Sequence, residues 1–104
     1  MPHNATNYNK LFPLAMIELS KHIQKGADKY TDGIVVPLEE KYKGMKYSME
    51  KLQRHNVMLQ AGYVIDTDED ALQVISMAWH CLNCAQEYLE QKGCTAKGML
   101  YGKE

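Results

Sequence analysis

The sequence predicts an all-α fold: a small bundle of three main helices with a long first connection, completed by oligomerisation. Three observations lead there. Apolar residues recur at steps of three and four through three separate stretches. Glycines and an acidic cluster separate those stretches. The apolar stripes, with Met77, Trp79, Cys81 and Tyr88 on the flanks of the third, are broader than one small bundle can cover, which predicts self-association into a dimer or larger homo-oligomer.

At 104 residues the chain suits one hydrophobic core. A single domain is expected over 11–93, after an extension at 1–10 and before a tail at 94–104. Hydrophobic residues make up 45%, charged residues 24%, and the net charge is -1, which argues against disorder and against duplex nucleic acid as the main partner. The apolar runs at Leu14-Ala15-Met16-Ile17 and Gly33-Ile34-Val35-Val36 are too short to cross a bilayer, so no membrane partner is expected. Met1-Pro2-His3-Asn4 lacks the basic patch and apolar core of a secretory signal, which leaves the cytoplasm as the expected location. Cys81, Cys84 and Cys94 are odd in number and describe no disulfide framework.

The first helix is expected over Pro13 to Tyr30, with Phe12, Met16, Leu19, Ile23, Ala27 and Tyr30 on one stripe. Pro13 suits the first turn, where its missing N–H would be unpaired anyway, and Gly26 is the weak point. Periodicity fails from Thr31 to Gly44, a connection that Ile34, Val35, Val36 and Leu38 would pin to the core or that would form a ligand lid. A second helix is expected from Met45 or Ser48 to Gln60, with Met45, Met49, Leu52, His55 or Asn56, and Leu59 inward and Gly62 as its stop.

Asp66-Thr67-Asp68-Glu69-Asp70 follows, and Thr67 or Asp68 would cap a third helix running from about Glu69 to Gln91. Its core face would carry Ala71, Val74, Ile75, Ala78, Leu82, Ala85 and Leu89. The opposite face, Gln73, Ser76, His80 and Asn83, is polar yet uncharged until Glu87. Solvated faces usually carry lysines and glutamates, so this one suggests a subunit contact or a wet ligand groove. Residues 94–104 read as a frayed tail.

Four groups could carry chemistry. The acidic turn offers oxygen ligands of the kind Mg²⁺ takes, with phosphate and water completing the shell, or it serves only to cap a helix. Arg54 could clamp phosphate while His55 binds metal or moves a proton, the plain alternative being a hydrogen-bonded core histidine. Cys81 and Cys84 have a zinc-like spacing but lie inside a helix, so they read as small core hydrophobes. Lys25, Lys29, Lys41, Lys43 and Lys46 could gather at phosphates or form a solvated face.

Leu11-Phe12-Pro13 entering a helix, Gly26-Ala27-Asp28-Lys29-Tyr30, Arg54-His55, Gly62 with Ile65-Asp66 and Asp68 or Glu69, and Ala78-Trp79 occur in an informative order. The chain resembles, over roughly 11–92, a phage-associated family of small dATP/dGTP diphosphohydrolases, related in kind to the MazG-like all-α NTP pyrophosphohydrolases. The resemblance implies a metal-dependent enzyme that cleaves a deoxynucleoside triphosphate between its α- and β-phosphates, releasing monophosphate and pyrophosphate. His55, Asp66, Asp68 and Glu69 would then hold Mg²⁺ (or Mn²⁺), with His55, Asp66 and Asp68 catalytic. Arg54 and Lys29 would face phosphate, Trp79 or Tyr30 would stack on a base, and Gln73, Ser76 and His80 would hydrogen-bond the nucleotide.

The sequence departs from the family pattern where Gln73 and Ser76 replace expected histidines and where Thr31-Asp32-Gly33-Ile34-Val35-Val36 replaces a tryptophan-containing segment. The Glu-x-x-Glu pair of the MazG type is missing as well. These departures imply an alternative: a catalytically degenerate nucleotide binder, such as a phage anti-defence sponge that sequesters a host nucleotide signal in the host cytoplasm. A helical adaptor is a third class.

Overall fold

The computed structural model describes residues 10–30 and 40–102, except the side chains of 27–30 and 40. Four helices account for most of them: α1 (Pro13–Tyr30), α2 (Gly44–Gln60), α3 (Gln73–Gln91) and the short α4 (Ala96–Tyr101). A helical turn at Glu40–Tyr42 precedes α2, and two short strands, β1 (Ile65–Asp66) and β2 (Ala71–Leu72), lie between α2 and α3. The residues expected to pin the first connection, Ile34, Val35, Val36 and Leu38, lie outside the described region.

α1 begins at Pro13 and ends at Tyr30, as its stripe and first-turn proline predict. Its inward edge differs slightly from the expectation: Met16, Leu19, His22 and Gly26 are half-buried, whereas Phe12 and Ile23 are exposed. Gly26 lies close against α3, where a Cβ would stand 3.3 Å from the Trp79 indole nitrogen. α2 starts at Gly44, which adopts a positive φ of 75°, and its N–H is taken by Asn83 Oδ1 at 3.0 Å. The inward face of α2 holds His55, as expected, with Leu52 and Leu59 half-buried, but Met45 and Met49 are exposed and Ser48 is buried instead.

α3 starts at Gln73, not at Glu69. The acidic residues form the turn of a tiny antiparallel hairpin in which Ile65 pairs with Leu72 and Asp66 with Ala71. Asp70 takes a φ of 51°, a left-handed conformation that cannot continue into a helix. Asp66 Oδ1 accepts the Asp68 N–H at 3.1 Å, and the α3 N-cap is Leu72, without a side-chain cap; neither Thr67 nor Asp68 caps α3. The expected frayed tail contains α4, capped by Thr95 Oγ1 accepting the Gly98 N–H at 3.0 Å.

α2 and α3 run antiparallel, as the pairs His55–Gln73, Ser48–His80 and Gly44–Asn83 require. α1 packs on α3. The space between the helices is polar: Gln73, Asp66, Ser48 and Ser76 are the largest fully buried side chains among those described, and Ile75 is the buried hydrophobe. The expected core face of α3 is therefore corrected. Val74 (50% exposed) and Leu82 (49%) point outward, and the uncharged polar stripe points in. The same inversion leaves Cys81 exposed and Cys84 half-buried, not in a core.

Candidate functional site

Between α1, α2, α3 and the acidic turn lies a cavity of about 470 Å³. α1 contributes His22, Lys25 and Gly26; α2 contributes Tyr47, Lys51, Arg54 and His55; α3 contributes Ser76, Trp79 and His80; the turn adds Asp68, Glu69 and Asp70. Cations, imidazoles, carboxylates and aromatic rings thus meet in one pocket of nucleotide-compatible size.

Two buried histidines stack at its centre, their rings 5.8 Å apart and inclined by 28°. Each is fixed from behind by a different hydrogen-bond chain. His55 Nδ1 donates to Gln73 Oε1 at 2.7 Å, with Asp66 Oδ2 nearby at 3.6 Å. That bond places a proton on Nδ1, so a ring carrying a single proton presents Nε2 as the accepting nitrogen. Around His80 the direction reverses. Asn83 Nδ2 donates to the Tyr42 carbonyl at 2.9 Å and to Ser48 Oγ at 2.8 Å, so the Ser48 hydroxyl gives its own proton to His80 Nδ1, 2.8 Å away. His80 consequently carries its proton on Nε2 as a donor. Burial, then the neighbouring His55, His22 and Lys51, lowers its pKa to about 4, so it is neutral at pH 7.

Asp66 is an anchor beneath this arrangement. It is 1% exposed, does not line the cavity, and holds Arg54 at 3.3 Å as well as the Asp68 N–H. Arg54 also reaches Asp68 at 3.4 Å, on a carboxylate that is 81% exposed. Lys25 crosses from α1 to the turn and donates to the Glu69 and Asp70 carbonyls at 3.4 and 3.5 Å. At the other end Lys51 stands over the Tyr47 ring at 5.6 Å, and Trp79 meets His80 edge-on at 4.9 Å.

Of the residues expected at the site, Arg54, His55, Asp68, Glu69, Ser76, Trp79 and His80 line the cavity together. Gln73 and Asp66 stand behind it, touching His55 and Arg54. The side chains of Lys29 and Tyr30 lie outside the described residues. The sequence alone assigns no role to His22, Tyr47 or Lys51, which also line the cavity. A signal was present, since Leu19, His22 and Gly26, like Tyr47, Lys51, Arg54 and Met58, follow steps of three and four.

Among the described residues no three His, Cys, Asp or Glu side chains converge into a metal cage. Both Asp66 oxygens are already engaged. The donors that fit a hard cation are Asp68 and Glu69 at the cavity wall, in the mode where one or two carboxylates share Mg²⁺ with phosphate oxygens and water.

The fold and the site define a small all-helical protein with a polar, ligand-sized pocket between its helices in place of an apolar core. The chain belongs to the dATP/dGTP diphosphohydrolase, N-terminal family, whose model matches residues 2–97. That name points to action on purine deoxynucleoside triphosphates. No curated protein and no solved structure matches the chain. No helix among the described residues is long and apolar enough to cross a membrane.

Proposed function

We propose that the chain binds a deoxynucleoside triphosphate in this cavity and hydrolyses it to monophosphate and pyrophosphate. The observation that carries the reading is the joint lining of one pocket by Lys25, Lys51 and Arg54 with the oppositely protonated His55 and His80. The cations neutralise phosphate oxygens. Water attacks the α-phosphorus and its proton passes to His55 Nε2, while the bond from the α-phosphorus to the bridging oxygen breaks and its electron pair leaves with pyrophosphate. His80 Nε2–H donates to a non-bridging oxygen as charge builds there. Asp68 and Glu69 would hold Mg²⁺ (or Mn²⁺), which would supply charge neutralisation and lower the pKa of a water.

A second reading is favoured by one observation: Asp66 is spent on Arg54 and the Asp68 N–H, and no three-ligand cage forms around it among the described residues. In that reading the pocket binds the nucleotide and does not turn it over, as in a sponge for a nucleotide signal. One experiment separates the two. The chain is incubated with Mg²⁺ and a panel of deoxynucleoside triphosphates, pyrophosphate release is measured, and thermal unfolding is followed in parallel. Release from a purine triphosphate supports the hydrolase; a raised melting temperature without release supports the binder. Neither response overturns both and favours an adaptor.

The chain is further proposed to self-associate. Val74, Leu82 and Tyr88 on α3, with Leu14 and Ile17 on α1, leave apolar surface that a second copy would cover. We place the protein in the cytoplasm, that of the host if a phage encodes it.

A further inference from the structure

Two buried side-chain atoms among the described residues have no hydrogen-bond partner, His22 Nδ1 and Ser76 Oγ. Both residues line the cavity, one from α1 and one from α3. A buried polar atom without a partner is costly, and native structures keep few of them, so each needs a reason. A shared cavity gives both the same reason: a ligand group completes them.

We propose that His22 and Ser76 read the hydrogen-bonding edge of a purine base and, because each can either donate or accept, admit adenine and guanine alike. The inference rests on the nucleotide reading of the cavity and adds the part of the ligand that these residues recognise. Adenine and guanine both carry an acceptor at N7, but position 6 is an amino donor in one and a carbonyl acceptor in the other. A lysine, an arginine or a backbone N–H would discriminate between them, being a donor only. A serine hydroxyl rotates to suit either partner, and a neutral imidazole exchanges tautomers.

Placement separates this pair from the phosphates. Lys25 and Arg54 reach the cavity from exposed positions, where a strongly hydrated triphosphate keeps part of its water. Ser76 is 1% exposed, and burial is the chief cause that lowers the His22 pKa and keeps its ring neutral. Neutral groups in a dry wall suit a neutral base, whereas a phosphate there would be stripped of water without a facing charge. The pyrimidines carry no N7, so they offer this pair one hydrogen-bonding atom fewer and bind less well.

The test uses the full chain with dATP, dGTP, dCTP and dTTP, and inorganic tripolyphosphate as a probe that has phosphates and no base. The native protein should bind dATP and dGTP within about fivefold of one another, since neither partner is a fixed donor. It should bind both at least about tenfold more tightly than the pyrimidines, the effect of about one well-made hydrogen bond. Ser76→Ala removes the unpaired hydroxyl, so it should raise the melting temperature of the ligand-free protein while weakening both purines about tenfold and leaving tripolyphosphate unchanged. His22→Phe, close in shape, should give the same split between purine and tripolyphosphate. Equal losses for dATP and tripolyphosphate would move these residues to the phosphates and overturn the proposal. So would unchanged purine affinity in both variants. A native protein that binds tripolyphosphate but no nucleotide would also sink base reading while sparing the cationic rim; binding of neither would sink the nucleotide reading itself.

Discussion

Replacing Asp66 with alanine removes a carboxylate that is 1% exposed and bonded on both oxygens, one to the Asp68 N–H at 3.1 Å and the other to Arg54 at 3.3 Å. Breaking a fully buried ion pair costs about 3–5 kcal/mol because the surviving charge is stranded. Here the survivor is less trapped: the Arg54 side chain is 41% exposed and can turn toward water. The loss then falls to that of a charge-assisted hydrogen bond with a weakened turn, about 2–3 kcal/mol. For a domain of this size each kcal/mol moves the melting temperature by about 4–8 °C, so Asp66→Ala should melt about 10–20 °C lower. Asp68→Ala is the internal control. It loses a 3.4 Å contact to the same arginine from a carboxylate that is 81% exposed. Such pairs contribute about 0–1 kcal/mol, so its midpoint should move by less than about 8 °C. Far-UV circular dichroism melts on the two variants decide the matter. Equal shifts, or a larger one for Asp68→Ala, would refute the assignment of Asp66 as the buried anchor of the turn and of Arg54.

Three further outcomes follow from the same geometry. The His80 pKa is lowered from 6.5 to about 4, chiefly by burial, so the unfolded chain binds the proton more readily; the stability His80 contributes is complete above about pH 6.5 and drains away as pH falls toward 4. Urea midpoints measured across that window should fall with pH, and less steeply in His80→Phe; identical slopes would contradict a buried neutral ring. Gly44→Ala combines a φ of 75° with a Cβ aimed into the Glu87 carboxylate, which accepts the Met45 N–H at 2.6 Å, so a loss of at least about 1–2 kcal/mol is expected in a chemical melt. Cys81 is exposed beside the midpoint of α3 on its apolar side. If α3 pairs with its copy about a two-fold axis, a chain keeping only this cysteine should form a covalent dimer on mild oxidation, and a monomer by light scattering would refute the pairing.

The helices were legible where local chemistry and periodicity agree. Pro13 and a regular stripe bound α1 correctly, and Gly62 marked the region where α2 stops. The start of α3 was not legible, because an acidic turn with Thr and Asp looks the same whether it caps a helix or closes a hairpin. What decides is the left-handed backbone at Asp70 and the pairing of Ile65 with Leu72, a contact across the turn that no local window contains. Within the site, Arg54, His55 and the carboxylates stood out as residue types. His22, Tyr47 and Lys51 did not, since a single histidine, tyrosine or lysine among charged helix neighbours has the composition of a solvated surface.

α3 shows why the usual rule for orienting a helix failed. The rule sends the apolar side inward because the alternative side is assumed to face water. Gln73, Ser76, His80 and Asn83 carry no charge and are poor at holding a helix face in solvent, yet they are well suited to a cavity that a polar ligand fills. With that side turned in, Val74, Leu82 and Tyr88 are left outside, and water is a poor partner for them too. Neither face of α3 is built for solvent. On the proposed reading the nucleotide completes one face and a second copy the other, so the two events act on the same helix and must be thermodynamically linked. Diluting the protein until the oligomer dissociates should then weaken nucleotide binding, and saturating nucleotide should shift the dissociation midpoint to lower protein concentration, for a dimer with one site per copy by the square of that affinity factor. Nucleotide affinity that is constant across the dissociation range would show that α3 carries no such linkage.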